Sequence, residues 1–272
     1  MTIDRHDPAG RVAAHHRAGS GVARIGYPVG VRSVRIVARR QLTPRMLRLT
    51  LGGPGLAGFH TYQADDHIKI VFPDPDGTRR DPVQNREGTL DWPRPSPTSR
   101  KYTVRRYDAT AQEIDLDFVL HDGGVASTWA ASAAVGEEVT IAGPPGAKAF
   151  PHSYDHYVFA VDGTALPAVG RWLEESPADV SAHVVIEIDD AAERDYPLAS
   201  RDRVAVTWLV REGTRSTLAE QVRSLRLPAV GRTFLFAAGE ATEIRPLRAW
   251  SRDRLDSLIT GYWKRGIAGL ED

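Results

Sequence analysis

Arg100-Lys101-Tyr102-Thr103-Val104-Arg105 and, after fifteen intervening residues, His121-Asp122-Gly123-Gly124-Val125-Ala126-Ser127-Thr128-Trp129-Ala130 decide how this chain is read. The first segment is a strand: Arg100, Tyr102 and Val104 project to one side, Thr103 and Arg105 to the other. The second is a glycine turn that opens into a helix of small residues, with Ser127 placed to cap a helix beginning near Thr128. A strand, a glycine turn and a helix start lie here within one run of strand-forming sequence.

Working outward, Val31–Arg40, Met46–Leu51 and His67–Phe72 alternate apolar and polar residues, as do Lys101–Arg105, Glu113–Leu120 and Glu138–Ala142. Period two is the mark of half-buried strands. Six prolines between Pro73 and Pro97 interrupt the pattern and predict a long surface connection. Six short antiparallel strands with a single helix near 127–134 predict a six-stranded Greek-key barrel over residues 31–147. Residues 1–30 lack a hydrophobic period and are expected to form a flexible N-terminal tail.

The second half has another texture. Tyr157–Val161, His183–Ile188, Val204–Val210 and Thr233–Ala238 are continuous apolar runs, separated by helical segments near 165–175, 217–225 and 244–257. Runs of that kind are parallel strands covered on both faces, so residues 148–272 are expected to form a doubly wound α/β domain.

Composition narrows the function. Basic and acidic residues number 35 each, so no global field favours nucleic acid or an anionic membrane surface. The absence of cysteine removes disulfides, thiolate metal sites, iron–sulfur clusters and a thiol nucleophile. An electron carrier in this chain would be a bound organic cofactor. No apolar run reaches the roughly 18 residues that span a bilayer, which points to the cytoplasm and against stable membrane insertion. His152 and His156 flank Asp155, but Pro151 and the aromatic neighbours favour a domain linker over a metal site, and no metal is expected. Neither a G-x-x-x-x-G-K-[ST] nor a G-x-S-x-G motif is present, so hydrolase and nucleotidase readings lack their machinery.

The groups that remain suit a flavin. Tyr102 offers an aromatic plane or a hydroxyl, Thr103 a hydroxyl at a ring edge, and Arg100 or Arg105 a guanidinium for phosphate. Gly123-Gly124 lets backbone approach a ligand, and free N–H groups at the following helix start suit a pyrophosphate. The competing reading is an edge strand followed by an ordinary helix start. In the second half, Asp162-Gly163-Thr164-Ala165 sits where a first strand turns into a helix, a place for a dinucleotide at the carboxyl ends of strands. A plain connection with Thr164 as N-cap explains the same residues. Glu240 either faces a nicotinamide or occupies a first helical turn. Lys264 and Arg265 either bind phosphate or end a solvated helix, and Trp263 is either core or a cofactor stack.

Six ordered blocks resemble one family. They are Arg100-x-Tyr102-Thr103-Val104-Arg105, His121-x-Gly-Gly-x-Ala126-Ser127-x-Trp129-Ala130, Ala142-Gly143-Pro144, Asp162-x-Thr164-Ala165-Leu166-Pro167-Ala168, Ala238-Gly239-Glu240 and Tyr262-Trp263-Lys264-x-Gly266. Over residues 31–268 the chain is similar to the siderophore-interacting proteins, flavin-dependent ferric-siderophore reductases of the ferredoxin-reductase superfamily.

The resemblance implies FAD in the barrel, with Arg100, Tyr102, Thr103 and Val104 around the ring system and His121, Gly124, Ala126 and Ser127 along the ribityl chain and pyrophosphate. It implies NADH or NADPH in the second domain at Asp162, Thr164, Ala165 and Trp263. Thr103 and Glu240 become the candidate catalytic residues, and Arg105, Lys264 and Arg265 the candidate docking residues for a ferric siderophore. A monomer is expected. Two alternatives stay open: a general flavin or quinone reductase on the same fold, and a siderophore-binding carrier without redox function.

Overall fold

A computed structural model describes residues 4–269. The chain divides into two units, residues 1–12 with 24–148 and residues 13–23 with 149–272. Each is described in turn.

The first unit is built on one barrel-like antiparallel sheet. Its strands are β2 (Val31–Thr43), β3 (Met46–Gly52), β4 (His67–Val71), β7 (Ser99–Thr103), β8 (Arg106–Asp108), β9 (Glu113–Val119) and β10 (Glu138–Ala142). They are ordered β7-β4-β10-β2-β3-β9-β8. β10 sits between β2 and β4, a position that hairpins alone do not produce. Seven strands stand where alternation predicts six, because the three residues of β8 are too few to show a period; they pair with the start of β9. Two short pairs complete the unit: β1 (Ala23–Gly26) with β11 (Gly146–Ala149), and β5 (Val83–Gln84) with β6 (Leu90–Asp91) inside the proline-rich connection.

The alternating residues fill the interior. Leu47, Leu49 and Leu51 of β3, Ile114, Leu116 and Phe118 of β9, and Ile68 and Ile70 of β4 share one cluster. The opposite faces of β3 and β9 carry a polar pairing that fixes their register. Arg48 lies opposite Asp117, and Thr50 opposite Asp115. Arg48 Nε and Nη2 form a fork to Asp117 at 2.6 and 2.8 Å, the Thr50 hydroxyl donates to Asp115 at 2.7 Å, and Arg106 Nε reaches Asp115 at 2.7 Å. A slip by one residue would turn this set inward and the leucines outward.

The N-terminal tail expectation is corrected. Residues Pro8–Ala18 form helix α1, and β1 follows. The Asp7 carboxylate accepts the Gly10 N–H at 3.0 Å, a local cap that hydrophobic period does not register. Tyr27 is fully buried and its hydroxyl donates to Asp66 Oδ2 at 3.0 Å.

The second unit is a parallel five-stranded sheet: β12 (His156–Asp162), β13 (Ser181–Ile188), β14 (Val204–Val210), β15 (Thr233–Glu240) and β16 (Asp256–Trp263), ordered β14-β13-β12-β15-β16. Strand order reverses between β12 and β15, so the carboxyl ends of these two strands frame a topological switch point. Helix α3 (Leu166–Glu175) follows β12, α4 (Leu218–Ser224) follows β14, and α5 (Ala241–Ile244) and α6 (Pro246–Ser251) follow β15. One face packs Val158, Val185, Leu235 and Ala237 against Leu218, Val222, Ile244 and Leu247.

The helix expected over 244–257 therefore ends at Ser251, and residues that continue its pattern form a fifth strand. Asp253 takes a left-handed φ of 59° in the intervening turn. A strand with Ser257, Thr260 and Gly261 among its apolar residues shows neither clean period. Among the described residues no helix is long and apolar enough to cross a membrane.

Candidate functional site

The two diagnostic blocks of the first unit meet through aromatic packing. Tyr102 and Arg100 oppose Ile68 and Ile70, whereas Thr103 opposes His67. Tyr102 is thus on the core side, its ring centroid 4.2 Å from that of Phe118. Phe118 in turn lies 5.8 Å from Trp129 of α2 (Val125–Ser132). Burial pushes the Tyr102 hydroxyl well above its ordinary pKa, and the Arg100 charge offsets only part of that, so the phenol keeps its proton. Thr103 is buried on the other side of the strand, and Arg100 Nη1 donates to the Ser99 carbonyl at 2.8 Å.

The glycine turn differs from expectation in an informative way. The helix begins at Val125, not near Thr128, and its N-cap is Gly124 in an extended conformation with no side chain on the helix start. Ser127 lies inside the first turn. Its hydroxyl donates to the His121 carbonyl at 2.8 Å and accepts the His121 N–H at 2.7 Å, so it braces the turn and does not cap the helix. The His121 ring stands where a Cβ on Gly124 would fall, 2.4 Å from its Cε1, and Gly123 has a φ of +76° with open space around it. A helix start without a side-chain cap, reached over two glycines, is the cradle a pyrophosphate requires. The residues present fit an FAD diphosphate, with the α2 amides as donors and Arg100 as the cation on the strand linked to α2 through Phe118.

Two expected contacts are corrected. Val104 is wholly buried in the barrel cluster, so its side chain serves the core, and its N–H donates to the Asp66 carbonyl at 2.8 Å. Arg105 is only 4% exposed, which closes it off from a bulky chelate arriving from solvent.

In the second unit the residues singled out from sequence do converge, at the switch point. Asp162 ends β12, and its carboxylate accepts four bonds. Oδ1 takes the Thr164 N–H at 2.8 Å and the Thr164 hydroxyl; Oδ2 takes the Glu240 N–H at 2.9 Å and the Trp263 indole N–H at 2.8 Å. Burial raises the Asp162 pKa, although those four donors work against the rise. Asp162, and not Thr164, is the N-cap here, and Ala165 is fully buried. Gly239 allows the approach of the strands: at its φ of +150°, a Cβ would sit 2.5 Å from Asp162 Oδ2.

Glu240 is the main correction. Its side chain turns back onto the start of α5, where Oε2 accepts the N–H groups of Thr242 and Glu243 at 2.7 and 2.9 Å and the Thr242 hydroxyl. Oε1 accepts the Arg265 N–H at 3.1 Å. Burial opposes ionisation, but these donors prevail and hold the carboxyl below its usual range. A carboxylate with both oxygens committed to backbone is a structural cap, not a group turned to a nicotinamide.

Glu187, at the end of β13, is spent in the same manner. Oε1 accepts the N–H groups of Thr217 and Leu218 at 2.7 and 3.1 Å, and Oε2 lies 2.7 Å from Arg211 Nη2. Arg211 also pairs with Glu243 at 2.6 Å and Asp189 at 3.1 Å. Sequence reading missed this guanidinium among three carboxylates, and its only linear signal is an arginine directly after the apolar run of the edge strand β14. Lys264 lies in an isolated bridge with Ile267, and the exposed Arg265 guanidinium stands 5.6 Å over the Trp263 ring.

His152 and His156 have separate partners. His152 stacks on His16 at 4.0 Å, and burial together with the His16 charge lowers its pKa to about 3; His156 Nδ1 is 2.8 Å from the Ser181 hydroxyl. Among the described residues no group of three or more His, Asp or Glu is placed to hold a metal ion.

Comparison with known proteins agrees with this architecture. Residues 35–148 match the family described as siderophore-interacting FAD-binding domain, and residues 154–266 the family described as siderophore-interacting protein. The chain is 31% identical over 252 residues to the ferric vibriobactin reductase of Vibrio cholerae, covering 88% of this chain and 90% of that protein. It is 33% identical over 248 residues to the NADPH-dependent ferric-chelate reductase of Escherichia coli, covering 88% and 95%. A crystal structure of a siderophore utilization protein from T. fusca superposes with a TM-score of 0.86 at 37% identity, covering 92% of this chain and 98% of that one. With both units matched in order and relatives aligned along nearly their whole length, the chain belongs to the siderophore-interacting protein family.

Proposed function

We propose that this chain is an FAD-dependent ferric-siderophore reductase that takes a hydride from NADH or NADPH and reduces the Fe(III) of a siderophore, freeing Fe(II) for iron assimilation. The observation that carries this reading is the uncapped start of α2 beyond Gly123-Gly124, joined through Phe118 to the strand bearing Arg100, Tyr102 and Thr103.

Bound FAD supplies the conversion between a two-electron donor and a one-electron acceptor. The balance is NAD(P)H + 2 Fe(III) → NAD(P)⁺ + 2 Fe(II) + H⁺. Arg100 and the α2 amides hold the diphosphate. Thr103 places a hydroxyl at the edge of the ring system, and Tyr102 keeps a neutral phenol in the wall behind it. The Asp162–Trp263 bond secures the carboxyl ends of β12 and β16 where the nicotinamide dinucleotide is expected, and Lys264 and Arg265 offer cations to its phosphates or to the anionic chelate. Iron needs no protein ligand, since the chelate brings its own hard oxygen donors, which hold the ferrous ion less tightly. One chain carries both units the reaction requires, so a monomer suffices, and the cytoplasm holds the reduced nicotinamide.

Anaerobic titration of the purified yellow protein with NADH and with NADPH, followed by ferric chelates and a colorimetric ferrous trap, tests donor and acceptor together. Bleaching by a nicotinamide and recolouring by ferric chelate with two ferrous ions per nicotinamide is expected. A colourless protein that cannot be reconstituted with FAD would overturn the reading, and faster turnover of quinones than of ferric chelates would move it to a general reductase.

A further inference from the structure

Gln63-Ala64-Asp65-Asp66 forms the turn into β4 and sets two carboxylates side by side under opposite conditions. Asp66 is saturated: Oδ2 accepts from the Tyr27 hydroxyl at 3.0 Å, the Thr61 hydroxyl at 3.0 Å, the Tyr62 N–H at 2.8 Å and the Gln63 N–H at 3.0 Å. Asp65 Oδ1 is closed off from solvent and has no hydrogen-bond partner. Two adjacent carboxylates, one buried and one half-buried with an enclosed oxygen, do not both ionise cheaply, and the negative charge settles on the one with four donors. Burial first, and then the Asp66 charge, lift the Asp65 carboxyl to about 7, while the Gln63 side chain, the Asp65 backbone and the Lys148 charge pull less strongly the other way.

The turn is adjacent to the redox strand. His67 opposes Thr103, and the Asp66 carbonyl accepts the Val104 N–H, so Asp65 stands just past the end of β7. We propose that Asp65 is the proton-coupled partner of the flavin in this chain: its carboxylate binds a solvent proton as an electron pair arrives and returns it as the electrons leave for iron. The inference rests on FAD occupying the first unit as read above. Added negative charge beside a half-ionised carboxyl raises its affinity for a proton, and removing that charge reverses the effect. No oxidant or reductant beyond the nicotinamide and the ferric chelate is involved, and the proton cancels over a full turnover.

The test is a spectroelectrochemical titration of the holoprotein across neutral pH, for wild type and Asp65→Asn, which preserves shape and cannot titrate. In wild type the slope of the flavin midpoint potential against pH should steepen by one proton per electron pair as pH rises through about 7, and this break should vanish in the variant. A wild-type slope with no break, or one unchanged in the variant, overturns the proposal. An infrared difference spectrum between acid and alkaline sides of neutrality, recorded on the FAD-depleted full chain, should lose a protonated-carboxyl band that Asp65→Asn lacks. That band present with no change in potential sinks the coupling and leaves the flavin reading intact, whereas failure of the chain to bind FAD removes both.

Discussion

The start of α2 in the first unit and three helical starts of the second are finished in opposite ways. In the first unit α2 opens from Gly124 with no side chain on its amides. In the second, Asp162 and Glu240 each turn a carboxylate onto the helical turn that follows, at Thr164 and at Thr242 and Glu243, and Glu187 reaches across 30 residues of sequence to the start of α4 at Thr217 and Leu218. A helix start closed by the protein's own anion has no need of an outside one, while an open start keeps its partial positive charge for a ligand. On the function proposed above, the difference separates binding machinery from scaffold among residues that look alike in sequence.

The largest effect should come from removing the Asp162 carboxylate, which ties together the ends of β12, β15 and β16. Asp162→Ala leaves the Trp263 indole and the Glu240 and Thr164 amides without their acceptor, and should cost about 3 kcal/mol in urea unfolding followed by tryptophan emission. A loss under about 1 kcal/mol would show that this end of the second unit is as open as α2.

Arg100→Ala should weaken FAD retention about tenfold or more, the scale of one lost charge-assisted bond, with the unfolding midpoint of the apoprotein little changed. Flavin fluorescence on dilution measures it, and unchanged occupancy would mean that the open α2 start carries the diphosphate without this cation.

Glu240→Gln should destabilise by roughly 1–2 kcal/mol as a helix cap is weakened, and leave the nicotinamide half-reaction nearly intact. The sign with pH is fixed. A carboxyl whose pKa is lower in the folded chain contributes stability that is complete above its unfolded value and is lost as pH falls through the folded value. The gap between wild type and Glu240→Gln should therefore be constant above about pH 5 and shrink on acidification. A collapse of hydride transfer with stability unchanged would return Glu240 to the reaction.

Thr103→Ala should have the smallest effect on folding, under about 1 kcal/mol, because it trims one hydroxyl from a buried strand position. It should slow flavin reduction in stopped-flow measurements without releasing FAD; release would place Thr103 with Arg100 in binding.

Much of this was legible in the residues, and the rest for physical reasons was not. Period two in Met46–Gly52 and Glu113–Val119 against continuous runs such as Tyr157–Val161 separates the two sheet types, because alternation marks a strand with one apolar and one polar face and a continuous run a strand apolar on both. β16 stayed hidden because its polar and glycine residues carry no period, and α1 because its hold is a cap at Asp7. The glycine turn at 123–124 was visible, since positive φ has few hosts. The commitments of Glu187 and Asp162 were not, because donors such as Leu218 and Trp263 lie far off in sequence, whereas the first-turn position of Glu240 was one of the two readings its place allowed. The pairing of Arg48 and Thr50 with Asp117 and Asp115 could have been found by aligning the polar positions of β3 and β9. Asp65 and Asp66 look in sequence like a hydrated acidic turn, and only their unequal supply of donors tells them apart.

The indole N–H of Trp263 is 101 residues from the carboxylate that receives it. During synthesis β12 leaves the ribosome long before that donor exists, and Asp162 must wait, together with the switch point it anchors, until residues 256–265 have emerged. The first unit has all its strands by then. Translation thus imposes an order: on the function proposed above, the α2 start can accept FAD while the second unit is still being completed.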